Sequence, residues 1–196
     1  FPWEDWDHAA LITRVKPLTV IESSGIILQR KDKRSGKEEM REGVVEYEFS
    51  KPRTGQNLDG SKNPDGNLWL KNDLVEVQWL RPVFPNPLRE MDHWKKSWRK
   101  RKVITEAEAR KRAVAFARSQ VGEPFSVGVG AHKWNTKRWY CSLLIFKSYS
   151  RTVTNMYLES YEPVSGFYVM PEDLVQSKRS AMYHRWLNQK PSSQST

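Results

Sequence analysis

The first half of the chain carries the hydrophobic pattern of short β-strands. Two segments alternate between apolar and polar residues, Val44–Phe49 (V-V-E-Y-E-F) and Leu74–Leu80 (L-V-E-V-Q-W-L), as strands with one buried face do. Three more segments are rich in β-branched and aliphatic residues and are separated by a proline and a glycine: Ala9–Val15, Leu18–Ile21 and Ile26–Gln29. These five segments predict an antiparallel sheet.

Residues 50–72, between the two alternating segments, predict a loop. They are rich in Gly, Pro, Asn, Asp and Lys, and they contain the turn-forming pairs Asp59-Gly60 and Asp65-Gly66. Because a loop of this length is unusual inside a compact domain, we interpret it as a surface insertion.

The second half of the chain begins with a helix signal. Thr105 and Glu108 form the T-x-x-E pattern of a capping box, and Gly122 and Pro124 end the helix that this box begins. The residues between them that follow helical spacing are Ala109, Ala113, Phe116, Ala117 and Gln120. This pattern predicts one amphipathic helix.

Three further elements complete the predicted fold. Tyr140–Tyr149 predicts a mostly buried helix with Cys141 near its N-terminus, and Gly166–Met170 predicts one more strand. Pro171, followed by two acidic residues, predicts the start of a short helix. Residues 191–196 are polar and predict a disordered tail. The fold class expected from this order of elements is α+β.

The composition fits one folded domain, which we place at residues 1–190. The 196-residue chain contains 38% hydrophobic residues and nine Trp, whereas disordered chains are poor in aromatic residues. The longest apolar runs, such as Leu143–Phe146, are far shorter than the ~20 residues of a membrane span. The single cysteine, Cys141, excludes an internal disulfide framework and any metal site built on several cysteines. We expect neither a metal nor a cofactor.

The chain is basic, and half of its excess charge lies in one segment. There are 33 Lys and Arg against 23 Asp and Glu, a net charge of +10. Residues 89–102, the basic segment, hold seven of these cations against two acids. A polyanionic partner is therefore expected, and we favour an anionic cell-wall polymer or a membrane surface over nucleic acid.

Two tryptophans four positions apart lie within the basic segment and would share one face of a helix. One interpretation is a surface for anionic groups, with cations around stacking or interfacial tryptophans. The residues of this surface are Trp94, Lys95, Lys96, Trp98, Arg99 and Lys100. The other interpretation is a solvated helix whose two tryptophans cover the core, and the sequence leaves both open.

Cys141 lies where a nucleophile would be expected. Most lone cysteines are small buried apolar residues, but the dipole and unpaired N–H groups of a helix N-terminus favour a thiolate. The same N–H groups can stabilise an oxyanion, so Tyr140 and Ser142 are candidates for oxyanion or substrate positioning. A thiolate nucleophile needs a base. Sequence spacing alone does not choose among the four histidines, which are His8, His93, His132 and His184.

Glu22 interrupts an apolar strand segment, Val20–Ser24. An isolated carboxylate in a strand is ordinarily solvated on the outer face. The alternative is that Glu22 accepts a histidine ring N–H and so fixes the tautomer and orientation of the imidazole. If the strands on either side of Pro17 pair as a hairpin, that histidine would be His8.

Seven segments, taken in order along the chain, carry a family resemblance. They are Trp6–Ile12, Val20–Ser23, Val77–Pro82, Ala113–Ala117, Gln120–Phe125, Tyr140–Leu144 and Met170–Leu174. Together they resemble the circularly permuted NlpC-like papain-fold cysteine hydrolases, in which the histidine precedes the cysteine. The resemblance extends from His8 to about Ser177. Members of this family often have an acidic residue two positions after the cysteine, where this chain has Leu143.

The resemblance implies a papain-like antiparallel sheet packed against helices, with Cys141 as nucleophile, His8 as general base and acid, and Glu22 as the orienting residue. It implies hydrolysis of amide bonds through a thioester, foremost in peptidoglycan stem peptides, and favours a location in the cell envelope or outside the cell. One alternative is a lipid or acyl-ester hydrolase, or an acyltransferase, of the same fold. Another is a module without catalytic activity that binds nucleic acid or an anionic polymer. The oligomeric state stays open.

Overall fold

The structure, a computed structural model, describes residues 8–31, 38–49, 55–56, 62–63, 76–91, 101–126, 133, 138–158 and 168–187. Its elements are β1 (Leu11–Val15), β2 (Leu18–Lys31), β3 (Glu38–Glu48), β4 (Gly55–Gln56), β5 (Lys62–Asn63), β6 (Glu76–Pro82), α1 (Glu106–Ser119), α2 (Cys141–Ser150), α3 (Pro171–Gln176) and β7 (Ser180–Leu187). Antiparallel strands and separate helices make up the fold, which confirms the predicted α+β class.

The larger sheet is organised around β2. This strand pairs antiparallel with β1, β3 and β4, and β4 pairs with β5. The predicted break at Gly25 is wrong, because β2 continues through it and a register shift between Ser24 and Leu28 absorbs the irregularity. The predicted loop over residues 50–72 is also only partly a loop, since β4 and β5 both lie within it.

The smaller sheet consists of β6 and β7, which are antiparallel. We did not predict β7 from the sequence. All six residues of 181–186 are exposed, so this strand lacks the buried face that produces an alternating pattern. The strand predicted at Gly166–Met170 is wrong over the described residues Tyr168–Met170, which belong to no strand.

The helices begin where the sequence predicts. The hydroxyl of Thr105 accepts a hydrogen bond from the N–H of Glu108 at 3.2 Å and caps α1. Helix α1 buries Ala109, Ala113 and Ala117, which lie four residues apart on one face. Helix α2 begins at Cys141, and all ten of its residues are buried. None of the described helices is long and apolar enough to cross a membrane.

Helix α2 lies at the centre of the hydrophobic core. Its residues Leu143 and Leu144 are fully buried, together with Ile21 of β2 and Val44 of β3. Just ahead of the helix, Trp139 packs edge-on against Phe116 of α1, with the two ring centroids 6.0 Å apart. Because α2 is surrounded on every face, its first residue, Cys141, has a fixed place beside the large sheet.

The two ends of the basic segment lie side by side. The N–H of Glu90 donates to the carbonyl of Lys102 at 3.0 Å, and the N–H of Ile104 donates to the carbonyl of Leu88 at 3.1 Å. Residues 92–100 themselves lie outside the described part of the chain, as does the tail at 191–196. The anionic-group surface therefore stays a prediction, because all of its residues lie in this range: Trp94, Lys95, Lys96, Trp98, Arg99 and Lys100.

Candidate active site

The β1–β2 hairpin brings His8 to Glu22. His8 lies three residues before β1, and β1 pairs with β2 through Leu11 opposite Ile21, so the predicted hairpin is confirmed. Nε2 of His8 lies 2.7 Å from Oε2 of Glu22. The Glu22 side chain is 0% exposed and the His8 side chain 31% exposed. A buried carboxylate thus meets an imidazole that still reaches solvent.

Cys141 completes a chain of three side chains. Its thiol is hydrogen-bonded to the His8 ring. Because Nε2 of His8 faces Glu22, the ring nitrogen that remains for the sulfur is Nδ1. The histidine is therefore held between a carboxylate and a thiol, one on each ring nitrogen.

Hydrogen bonds from two backbone N–H groups, those of Ala9 and Ser142, also lower the pKa of the Cys141 thiol. Ser142 is the second residue of α2, where an N–H has no partner within the helix. Ala9 comes directly after His8, on the side of the sheet. The sulfur therefore has three hydrogen-bond partners from two separate parts of the fold.

These contacts favour the charged forms of both side chains. Burial alone would raise the pKa of Cys141, but the hydrogen bond and positive charge of His8 and the two N–H donors outweigh it, so the pKa is lowered. Burial alone would lower the pKa of His8, but hydrogen bonds to Cys141 and Glu22, and their negative charges, raise it. Both shifts favour a thiolate beside an imidazolium over the neutral pair.

The side chains of Tyr140 and Ser142 both bind one residue, Val169. The Tyr140 hydroxyl accepts a hydrogen bond from the Val169 N–H at 2.9 Å, and the Ser142 hydroxyl donates to the Val169 carbonyl at 2.6 Å. Both side chains are buried. They hold the start of α2 against the segment that leads into α3. Of the two residues, Ser142 is the one whose N–H lowers the pKa of Cys141.

Ser23 and Ala9 were missed in the sequence. The hydroxyl of Ser23 donates to the carbonyl of Trp139 at 2.8 Å and so ties β2 to the residues just before Cys141. Its position next to Glu22 in an otherwise apolar strand segment was the available signal. Ala9 acts through its backbone N–H, which leaves no signature in a sequence.

The other predicted features lie elsewhere. His184 is exposed on β7, opposite Trp79 of β6, whereas His93 and His132 lie outside the described residues. Leu143 is fully buried in the core.

Within the described part of the chain, no group of three or more His, Cys, Asp or Glu could hold a metal ion. Searches against protein-family models, curated proteins and solved structures found no match to this chain.

Proposed function

We propose that the protein is a cysteine hydrolase that cleaves amide bonds through a thioester on Cys141. The observation that carries this proposal is the contact chain from Glu22 through His8 to Cys141 at the N-terminus of α2. Covalent acyl transfer requires a nucleophile, a base that is hydrogen-bonded to the nucleophile, and a third group that is hydrogen-bonded to the base. A cysteine with a merely structural role needs none of these partners.

The reaction follows from the roles of these three side chains. The Cys141 thiolate attacks the carbonyl carbon, a C–S bond forms, and the C–N bond breaks as the leaving amine takes a proton from Nδ1 of His8. Neutral His8 then removes a proton from water, which attacks the thioester and releases a carboxylic acid. The thiolate and the imidazolium are restored, while Glu22 keeps the ring in place throughout.

The foremost substrate we propose is the stem peptide of peptidoglycan. The resemblance to permuted NlpC-like hydrolases, with a histidine ahead of the cysteine in the chain, supports this choice and a papain-like arrangement of the fold. The net charge of +10 suits an enzyme that works on an anionic cell wall.

A lipid or acyl ester is the second candidate substrate, and one feature of the structure favours it. Strand β7 exposes Met182, Tyr183 and Trp186 to solvent. Aromatic side chains of this kind are common where proteins meet a membrane interface. The chemistry at Cys141 would be the same, with an alcohol in place of the amine as leaving group.

The test is mass spectrometry of the protein after brief incubation with peptidoglycan stem peptides and, separately, with acyl esters of lipid type. We expect an adduct with the mass of the acyl group on Cys141, which neutral hydroxylamine removes. His8→Ala should abolish the adduct. His184→Ala, a change at an exposed histidine in the smaller sheet, should retain it.

The substrate series decides between the candidates. An adduct from stem peptides favours the peptidase, and one from acyl esters alone favours the lipid hydrolase. If no donor modifies Cys141 while the protein binds an anionic polymer with or without Cys141→Ser, the chain is a binding module and the proposal fails.

A further inference from the structure

Lys147 is a buried cation that, in the described part of the chain, has neither an ion pair nor a side-chain hydrogen bond. It lies on α2, and only 5% of its surface is exposed. The described ion pairs use cations that are much more exposed, such as Arg110 with Glu106. Lysine is almost never fully buried unless it is paired, because removing a charge from water is costly. An unpaired lysine at this depth therefore indicates a partner that the described residues do not supply.

A second unpaired cation lies one helical turn away. Arg151 is the C-cap of α2, and its N–H donates to the carbonyl of Lys147 at 3.0 Å. Residues four apart lie on the same face of a helix. Arg151 is exposed, and its side chain too forms no ion pair with the residues that the structure describes. Two cations without an acid between them therefore occupy this end of α2.

The electrostatics of Lys147 agree with this arrangement. Burial, and then the positive charges of Arg151 and Lys133, lower the pKa of Lys147 from 10.5 to about 8. No described carboxylate acts in the opposite direction. A cation in the last turn of a helix can compensate the helix dipole, but an exposed side chain would serve that purpose without the cost of burial. An anion placed beside Lys147 and Arg151 would remove both the repulsion and the unpaired charge.

The chain next to this pair is also basic. Just after Arg151, the Thr152 carbonyl accepts a hydrogen bond from the N–H of Met91, in the basic segment, at 3.0 Å. Nη1 of Arg101, at the other end of that segment, donates to the hydroxyl of Thr154 at 3.0 Å. Positive charge thus continues from the end of α2 to both ends of the basic segment, which favours an anionic ligand.

The acid that lies in this region is already neutralised. Glu90 is the one acidic residue among the described residues of the basic segment, and its carboxylate pairs with Arg112 at 2.9 Å. It therefore leaves the charges of Lys147 and Arg151 uncompensated.

We propose that Lys147 and Arg151 form a binding site for a phosphate group. The ammonium of lysine binds phosphate as a compact charge with three donors, and the guanidinium of arginine offers a planar fork to two oxygens. Two cations also match the charge of a phosphate near neutral pH better than the single charge of a carboxylate. Six residues separate Lys147 from Cys141, or ~9 Å along the helix axis. The site is therefore distinct from the candidate active site, and the inference does not rest on the proposed function.

The experiment follows thermal unfolding of the full chain at pH 7 while inorganic phosphate replaces chloride at constant ionic strength. A ligand that binds only the folded protein raises the melting temperature as its concentration rises, so the titration gives a dissociation constant. We expect phosphate to raise the melting temperature of the unaltered protein. Lys147→Met and Arg151→Gln should each weaken phosphate binding about tenfold, because each removes one charge-assisted hydrogen-bond partner.

Lys111→Met is the matched control. Lys111 is an exposed lysine on α1, so this variant carries the same substitution and the same change in net charge, and it should bind phosphate like the unaltered protein. Cosedimentation with vesicles that contain an anionic phospholipid identifies the source of the phosphate. Vesicle binding that Lys147→Met weakens assigns the site to a lipid headgroup, whereas binding of inorganic phosphate alone assigns it to a small soluble phosphate.

Two results would overturn the inference. One is a melting temperature that responds to phosphate no more than to chloride of equal ionic strength. The other is a phosphate response that Lys147→Met retains in full, or that Lys111→Met loses to the same extent. Neither result would affect the proposed function, which fails instead if Cys141 never forms an acyl adduct.

Discussion

Replacing Glu22 with Gln tests the contact chain with the smallest possible change. The Glu22 side chain is fully buried, and its Oε2 lies 2.7 Å from Nε2 of His8. Glutamine has nearly the same shape and keeps an acceptor oxygen, so Glu22→Gln removes a charge and leaves the packing intact.

The expected magnitude follows from the kind of hydrogen bond that is lost. A bond between charged groups contributes about 1.5–3 kcal/mol and a neutral one about 0.5–1.5 kcal/mol. The imidazolium of His8 therefore loses about 1–2 kcal/mol of stabilisation relative to the imidazole, and 1.36 kcal/mol corresponds to about one pKa unit. We expect the thiolate–imidazolium pair with Cys141 to lose about tenfold in population relative to the neutral pair.

The assay is alkylation of Cys141 by iodoacetamide, followed by mass spectrometry, at several pH values. Because the pKa of Cys141 is lowered and that of His8 raised, the unaltered protein should react rapidly at about pH 6. Glu22→Gln should react about tenfold more slowly at that pH and at a similar rate near pH 9. Single-turnover acylation should fall by the same factor.

Glu46→Gln is the matched control. Glu46 lies on β3, opposite Ile21 of β2, and its carboxylate pairs with Arg118 at 2.8 Å. The substitution removes the same charge from the same sheet without touching the histidine. If Glu22→Gln keeps the profile of the unaltered protein, or if Glu46→Gln shifts it equally, the argument for an orienting carboxylate is wrong.

Three more predictions concern other parts of the molecule. His8→Ala should remove nearly all activity and raise the thiol pKa, because burial then acts on Cys141 without its ion-pair partner; His184→Ala should keep most turnover. Burial lowers the pKa of Lys147 from 10.5 to about 8, so its protonation destabilises the folded state increasingly as the pH falls from 10.5 to 8. In urea denaturation, Lys147→Met should therefore raise the free energy of unfolding by on the order of 1–2 kcal/mol at pH 7, and by less at pH 10. Neutralising the four Lys and Arg within residues 94–100 should weaken binding to anionic vesicles or polymers and flatten the salt dependence of that binding. Turnover of a small soluble substrate should stay nearly unchanged, and an equal loss of binding and turnover would contradict a separate surface role.

The features that could be predicted from the sequence are those with a local signature. The capping box at Thr105 located α1, and the apolar run after Tyr140 placed Cys141 at a helix start. The proline turn between two β-rich segments predicted the hairpin that joins His8 to Glu22.

The features that escaped prediction depend on the rest of the fold. Strand β7 exists because β6 offers it hydrogen bonds, although its own side chains are exposed. Gly25 is tolerated inside β2 because a register shift accommodates it. The Ala9 N–H lowers the pKa of Cys141 as a backbone group, and a backbone group has no residue type that a sequence could reveal.

The paired ends of the basic segment have a consequence for how this protein can change over time. Leu88 and Glu90 are joined to Ile104 and Lys102 by backbone hydrogen bonds, so the chain that leads into residues 92–100 lies beside the chain that leads out of them. A segment inserted at such a point adds little to the cost of folding, because loop-closure entropy grows slowly with length. Lineages could therefore exchange residues 92–100 for a segment of another charge or length, while the hairpin and α2 are inherited unchanged.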